Sequence, residues 1–139
     1  MGDWYSIGIT IGLGVACGVF AAALLGRIRF AVVIAAVLGA AAGAAIGFGY
    51  WNWDEAVGGI AGGVAGGFGG SQVTQGTLRR GGTAGATAIL VGTGALALAG
   101  LAFLPGVGYA EGIALPLLGI RLRRRTPERY AGLRTLARD

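Results

Sequence analysis

Charge is scarce in this sequence, and several reactive side chains are missing altogether. Only 12% of the 139 residues are charged, about half the fraction found in a typical soluble domain. There is no His and no Lys, so all eleven basic residues are Arg. The sequence has no His to act as general base, no paired carboxylates within one apolar run, no phosphate-binding loop and no metal-ligand cluster. We therefore predict that the protein is not an enzyme and needs no metal or cofactor.

Cysteine is also nearly absent. The single copy, Cys17, lies inside an apolar run, so no disulfide is possible within one chain. The sequence opens with Met-Gly-Asp instead of the basic segment that a secretory signal peptide needs. We expect the first apolar run to be retained as a membrane span.

Apolar sequence, by contrast, is abundant and arranged in long runs. The hydrophobic fraction is 55%, and clusters of charge separate runs whose length suits a hydrocarbon core roughly 30 Å thick. The runs cover about 4–26, 30–50, 56–77, 83–104 and 106–120. The predicted fold class is an all-α integral membrane protein, a bundle of five transmembrane helices within residues 1–125. Because the last run is short and follows a Pro-Gly break, the alternative is four spans with a re-entrant or interfacial last segment.

The sign of the charge alternates between the ends of the runs. Arginines follow the first, third and fifth runs, at Arg27, Arg29, Arg79, Arg80, Arg121, Arg123, Arg124 and Arg125. Acidic residues fall toward the other side, at Asp3, Asp54, Glu55 and Glu111, and all three Trp lie there too. Arg in short loops marks the cytoplasmic face, and Trp prefers the membrane interface. We predict a plasma (inner) membrane protein with its N-terminus outside and its C-terminus in the cytoplasm.

The arginine-rich C-terminal part predicts contact with lipid. Residues 126–139 begin with a Thr-Pro-Glu helix start and have the pattern of a short amphipathic helix on the cytoplasmic surface. The arginines just before this tail are expected to contact anionic lipid headgroups: Arg121, Arg123, Arg124 and Arg125. No nucleic-acid-binding module is recognisable, so nucleic acid is not an expected partner.

Glycine is the second abundant feature, with 30 copies. Residues four apart share one face of a helix, and glycines recur at that spacing within the runs. The main sets are Gly58, Gly62, Gly66 and Gly70 in the third run and Gly39, Gly43 and Gly47 in the second, with a parallel set at Gly59, Gly63 and Gly67. Such faces let helix backbones approach closely in lipid. We expect glycine-zipper packing with the third helix at the centre; the same faces could instead join subunits of a homo-oligomer.

Glu111 is the leading candidate for a transport or ion-binding residue. A carboxylate inside a membrane helix is costly, which by default suggests a proton or cation site or a pore-lining charge. The alternative is that Glu111 sits in the outer headgroup layer, next to the interfacial residue Tyr109. Pro116 follows in the same run and predicts either a kinked, cavity-lining helix or merely a tolerated bend.

Gln72 and Gln75 complete the set of transport candidates. They share one face within a polar patch at the cytoplasmic end of the third run. They line a polar vestibule in one interpretation; in the other they bond neighbouring helices or meet headgroups. The leading hypothesis is a small channel or transporter for an ion or solute, homo-oligomeric. The rival is a non-catalytic accessory subunit packed against a larger membrane complex. Burial of Glu111 beside the glutamine face favours transport, and exposure favours the accessory subunit.

Overall fold

The computed structural model describes residues 3–50 and 52–124 of the chain. This part consists of five α-helices and no strands: α1 (Asp3–Leu25), α2 (Ala31–Tyr50), α3 (Trp53–Arg79), α4 (Ala84–Leu101) and α5 (Val107–Arg124). Three of them are long and apolar enough to cross a membrane, namely α1, the Ala31–Gly49 part of α2, and α4. The predictions of an all-helical chain and of membrane-spanning helices are confirmed at this level.

The other two described helices, α3 and α5, are less apolar. α3 has 27 residues, but many are Gly and its first and last turns carry acidic and basic side chains. α5 has 18 residues and includes Glu111, Pro116 and three arginines. α3 and α5 are therefore not among the three candidate spans, although both are long enough to cross a membrane.

The helix bounds differ from the predicted runs mainly in the last third of the chain. α4 ends at Leu101, and the chain turns before α5 through Gly106, whose φ of +80° is a conformation that favours glycine. α5 continues to Arg124, past the predicted end at Ile120. Arg is a good helix former, so its charge ends an apolar run without ending the helix. Arg125 and the tail 126–139 lie outside the described residues.

Helix α3 packs against both α1 and α2, which also contact each other, and on another side it packs against α5. Its glycines line both of the closest approaches. Toward α1, a methyl group added to Gly62 or Gly66 would overlap the backbone of Ile11 or Val15. At Gly70 the added carbon would lie 2.8 Å from the Cα of Val19. A side chain at any of these positions would force the two helices apart.

The second glycine face of α3 meets α2. A methyl group on Gly59 would overlap the carbonyl of Gly43, and one on Gly63 would overlap the backbone of Gly39. A carbon added to Gly39 would in turn lie 2.6 Å from the Cα of Gly18 and 2.6 Å from the carbonyl oxygen of Gly63. Three helix backbones therefore meet at this level of the bundle. Backbone atoms cannot rotate aside as a side chain can, which makes these positions intolerant of larger residues.

The helices alternate in direction, so like charges gather at the same ends. Hydrogen bonds join the start of α1 to the starts of α3 and α5, and the end of α1 packs on the end of α3. One end, called here the acidic end, carries Asp3, Asp54 and Glu55; the other, the arginine end, carries Arg27, Arg29, Arg79 and Arg80. The chain thus separates its charges along the bundle axis, as the alternation in sequence predicts.

Two local signals position the helix starts. Glu55, three residues into α3, accepts a hydrogen bond of 2.9 Å from the backbone N–H of Asn52, the N-cap residue. The carboxylate also meets the positive end of the helix dipole. At α4 the Thr83 hydroxyl accepts from the N–H of Ala86 at 3.3 Å. Gly81, with φ +88°, allows the turn between α3 and α4.

Candidate functional site

Glu111 lies inside the bundle, on the face of α5 that packs against α1. Its side chain is 6% exposed, and neither carboxylate oxygen has a hydrogen-bond partner among the described residues. The approach is close because α1 has a glycine there: a carbon added to Gly12 would lie 3.0 Å from Oε2 of Glu111 and would also press on Ala102. The carboxylate is therefore enclosed by apolar and backbone atoms, one turn below the acidic end.

A second buried carboxylate, Glu55, provides a direct contrast. It is 4% exposed, but Oε1 accepts a bond of 2.9 Å from the Ser6 hydroxyl and Oε2 accepts from the N–H of Asn52. Glu55 precedes the predicted span 56–77. Desolvation alone would raise the pKa of its carboxyl, but hydrogen bonds from its own backbone, Ser6 and Asn52 together lower it. Hydrogen bonds thus stabilise the Glu55 carboxylate in a structural role, whereas the Glu111 carboxylate is buried without a hydrogen-bond partner among the described residues.

Two tyrosine hydroxyls fasten α1 to the segment that carries Glu111. The Tyr5 hydroxyl donates to the carbonyl oxygen of Phe103 at 2.8 Å, in the turn before α5. The Tyr109 hydroxyl donates to the carbonyl oxygen of Trp4 at 2.7 Å. Beneath them, Gly108 of α5 approaches the backbone of Gly8. These contacts fix the start of α5 against α1 and so hold Glu111 in its enclosed position.

We predict that Tyr109→Phe lowers the free energy of unfolding by about 1 kcal/mol, the usual contribution of one hydrogen bond. Tyr109→Leu should cost more, because the ring also packs on α1: a carbon added to Gly8 would lie 2.9 Å from Cε2 of Tyr109. Thermal or denaturant unfolding in detergent measures both variants. Equal stability of Tyr109→Phe and the wild type would mean that the hydrogen bond to Trp4 contributes nothing to the free energy of unfolding.

Gln72 and Gln75 lie at the arginine end, away from Glu111. Both line a cavity of about 90 Å³, together with Val73, Gly76, Thr77, Arg79, Arg80 and Leu122. Gln72 also contacts α5, where a carbon added to Gly119 would lie 3.3 Å from its Cγ. Two glutamines and two arginines are part of the lining, and Glu111 is not. Eight residues separate Gly119 from Glu111, about 12 Å along a helix.

The remaining candidates are Pro116 and the arginines at the end of α5. α5 runs through Pro116 without ending, although proline cannot donate to the carbonyl of Gly112. Arg121 is exposed at the arginine end. Arg123 and Arg124 fall in the last turn of α5, and nothing is described of their side chains. The sequence does not predict that Gly12 adjoins Glu111: Gly8 and Gly12 are four residues apart and share a face of α1, but their spacing does not indicate which helix that face meets.

Two buried hydroxyl groups of α3 are further candidate sites that the sequence does not single out. The hydroxyls of Ser71 and Thr74, each 1% exposed, have no hydrogen-bond partner within the described residues. The sequence shows both as members of a polar patch, but only the packing of α1 and α4 around α3 reveals which members are enclosed. Unpartnered buried hydroxyls are uncommon in folded proteins and call for an explanation.

Comparison with known proteins identifies no relative. No family model, curated protein or solved structure matches this chain. The site must therefore be interpreted from its own chemistry. In the part of the chain that the structure describes, no group of three or more His, Cys, Asp or Glu residues is placed to hold a metal ion.

Proposed function

We propose that this protein moves a small cation, a proton in the simplest case, across a membrane, and that Glu111 is the residue that binds it. The observation that carries the proposal is the enclosure of the Glu111 carboxylate without a hydrogen-bond partner. Burying a charge without a partner costs several kcal/mol or more, and a bound proton or cation removes that cost. A structural acid would be paired, as Glu55 is.

The polar cavity around Gln72 and Gln75 supports the same proposal from the other end. In this proposal the cavity is the cytoplasmic entrance between α3 and α5, and because Arg79 and Arg80 in its lining repel a metal cation, it favours a proton. The path between this cavity and Glu111 would follow α5, whose helix is interrupted in its hydrogen bonding at Pro116. A free carbonyl at that level offers an oxygen ligand to a passing cation or to water.

The proposal includes five crossings packed as a glycine zipper, with the acidic end outside and the arginine end in the cytoplasm. α3 then crosses the membrane within the bundle, packed against α1, α2 and α5, and α5 crosses beside it, packed against α3 and α1. The short α5 needs its terminal arginines to reach the headgroups with their long side chains. Several copies of the chain would provide more room for a polar path than one does.

The arrangement of crossings predicts a labelling pattern. In a Cys17→Ala background, Asp54→Cys and Arg121→Cys should react with a membrane-impermeant thiol reagent from opposite sides of a sealed vesicle. In vesicles with the same orientation as the cell, Asp54→Cys is expected to react from outside, and Arg121→Cys only after the vesicle is permeabilised. Labelling of both from the same side would contradict five crossings and favour a re-entrant α5.

Proton uptake into liposomes tests the function. Vesicles containing the purified protein carry an ionophore-generated potassium diffusion potential, and an internal pH-sensitive dye reports proton entry. We expect entry above that of protein-free vesicles; an internal dye that responds to the cation in question, in place of the pH dye, tests other small cations. A folded protein that moves none of the tested ions would contradict the proposal.

An accessory subunit is the second candidate, and α4 is the observation that favours it. This helix packs mainly on α1 and leaves large apolar side chains exposed, among them Ile89, Leu90 and Leu96. In an accessory subunit that face would meet another membrane protein instead of lipid. The absence of flux, together with co-purification of a stoichiometric membrane partner, is the result that this alternative predicts.

A further inference from the structure

A cavity at the arginine end lies where α1, α3 and α4 meet. Its volume is about 270 Å³, and its walls include Leu24, Arg27, Thr74 and the first residues of α4, Ala84 and Gly85. It is separate from the Gln72–Gln75 cavity of the proposed transport path, with which it shares no lining residue. The proposed function leaves it unexplained.

The charge around this cavity is positive and uncompensated. Arg27 contributes a guanidinium, and the N-terminus of α4 contributes free backbone N–H groups and the positive end of its dipole. The N-cap Thr83 occupies only the N–H of Ala86. The four acidic residues in the described part of the chain all lie in the opposite half of the bundle. An anion is the ligand that this arrangement suits.

Thr74 adds an independent sign of a missing ligand. It forms part of the cavity wall, is 1% exposed, and its hydroxyl has no hydrogen-bond partner within residues 3–50 and 52–124. A hydroxyl buried in this way loses free energy unless some group completes its hydrogen bonding. Rotation about χ1 of Thr74 would turn this hydroxyl toward the cavity, where a phosphate oxygen would supply an acceptor.

An apolar groove begins beside the cavity and indicates the source of the anion. The groove has a volume of about 540 Å³ and runs along the outside of α1 between α2 and α4. Leu24 lines both the groove and the cavity, so the two adjoin. The other residues that line the groove are also uncharged, among them Phe20, Leu38, Leu96 and Ala99. A free anion would not bind in such an apolar groove, whereas an acyl chain would fill it.

We propose that the cavity binds the phosphate group of an anionic phospholipid, one acyl chain of which lies in the groove. Arg27 pairs with the phosphate, and the first turn of α4 and Thr74 supply further hydrogen-bond donors. The lipid fills the space between α2 and α4 that the polypeptide leaves open, and so ties α4 to the rest of the bundle. This site differs from the general attraction of Arg121 and its neighbours to a negative surface, because it encloses one headgroup.

Lipid-dependent thermal stability tests the headgroup contact. The protein is purified in detergent and unfolded in the presence of increasing phosphatidylglycerol or, in parallel, phosphatidylcholine. We expect phosphatidylglycerol to raise the Tm more than phosphatidylcholine does. Arg27→Gln should weaken the apparent affinity for phosphatidylglycerol about tenfold, the effect of losing one charge-assisted contact, and Arg27→Lys should retain most of it. The matched control is Arg29→Gln, which removes the same charge from the same turn but does not line the cavity.

The groove is tested by filling it. Ala99→Leu places a larger side chain in the groove, whereas Ala97→Leu makes the same change on the exposed surface of α4. We expect only Ala99→Leu to weaken phosphatidylglycerol binding, with both variants folded as judged by circular dichroism and by the Tm without lipid. Thr74→Val, which keeps the side-chain shape, should weaken binding without removing it.

Three outcomes would overturn the proposal. If Arg27→Gln and Arg29→Gln reduce the effect of phosphatidylglycerol equally, the lipid responds to net charge and not to this cavity. If millimolar inorganic phosphate stabilises the protein as well as phosphatidylglycerol does, the ligand is a free anion. If lipid-free protein is a dimer by light scattering and Ala99→Leu dissociates it, the groove holds a second copy of the chain.

Discussion

Glu111→Gln is expected to reduce proton and cation flux to the level of protein-free vesicles while the bundle stays folded. Gln has the size and shape of Glu, so it fits the space beside Gly12 without new contacts. It cannot exchange a proton, and it offers a cation no charge. The free energy of unfolding of Glu111→Gln should stay within about 1 kcal/mol of the wild-type value, since volume-conserving changes are well tolerated in packed interiors. Flux and unfolding measured on the same preparation separate loss of function from loss of fold.

Asp54→Asn is the matched control for that substitution. It removes the same charge at the acidic end, but Asp54 is exposed and does not lie in the bundle interior. We expect Asp54→Asn to keep at least half of the wild-type flux. Equal inhibition by both variants would mean that the negative charge of the acidic end matters and the enclosed position of Glu111 does not. Full flux in Glu111→Gln would remove Glu111 from the path.

Gly63→Ala is expected to destabilise the protein by about 3 kcal/mol, the upper end of the usual cost of overpacking. The added methyl group overlaps the backbone of Gly39, which is itself packed on Gly18 of α1. No side chain at the contact can rotate away, so α2 has to move. Loss of the close approach also removes the packing that holds helices together in lipid, where apolar surface gives little drive for association. Reversible unfolding in mixed detergent micelles measures the change.

Gly76→Ala makes the same substitution in the same helix at an open position. Nothing lies within 4 Å of a carbon added there. Because Ala is the better helix former, by up to about 1 kcal/mol in water, this variant should be as stable as the wild type or more so. Equal stability of the two alanine variants would contradict the close contact of α3 with α2. The difference between them, and not either value alone, reports helix packing.

The sequence predicts much of the fold because membrane helices are coded by simple patterns. Charge clusters locate the turns, and the helix starts at Asp3, Ala31, Trp53 and Ala84 fall within three residues of the predicted runs. The end of α5 was harder to predict, because hydropathy marks where an apolar run stops and Arg121 does not stop a helix. Glycine spacing identified which faces of α3 are smooth. It could not say which helix each face meets, because that depends on the order in which helices pack.

The candidate site was less predictable than the fold. Glu111 stands out in sequence as a charge near an apolar run, but its burial depends on the approach of α1 at Gly12, which is 99 residues away along the chain. Glu55 follows Asp54 directly at the start of an apolar run, and Ser6 from another helix completes its hydrogen bonds. Periodicity places residues on faces; it does not tell whether a facing helix brings a donor. A position at a helix start favours a capping role for Glu55, but its bond from Ser6, and the absence of a partner for Glu111 among the described residues, are visible only in three dimensions.

The most direct test of the central claim is to modify Glu111 and follow flux in the same vesicles. A hydrophobic carbodiimide reacts with protonated carboxyl groups in apolar surroundings, and peptide mass spectrometry identifies the residue that it modifies. We predict that Glu111 is the modified residue in the bundle, that exposed Asp54 is spared, and that flux falls in proportion to the modified fraction. Complete modification of Glu111 with undiminished flux would contradict the account.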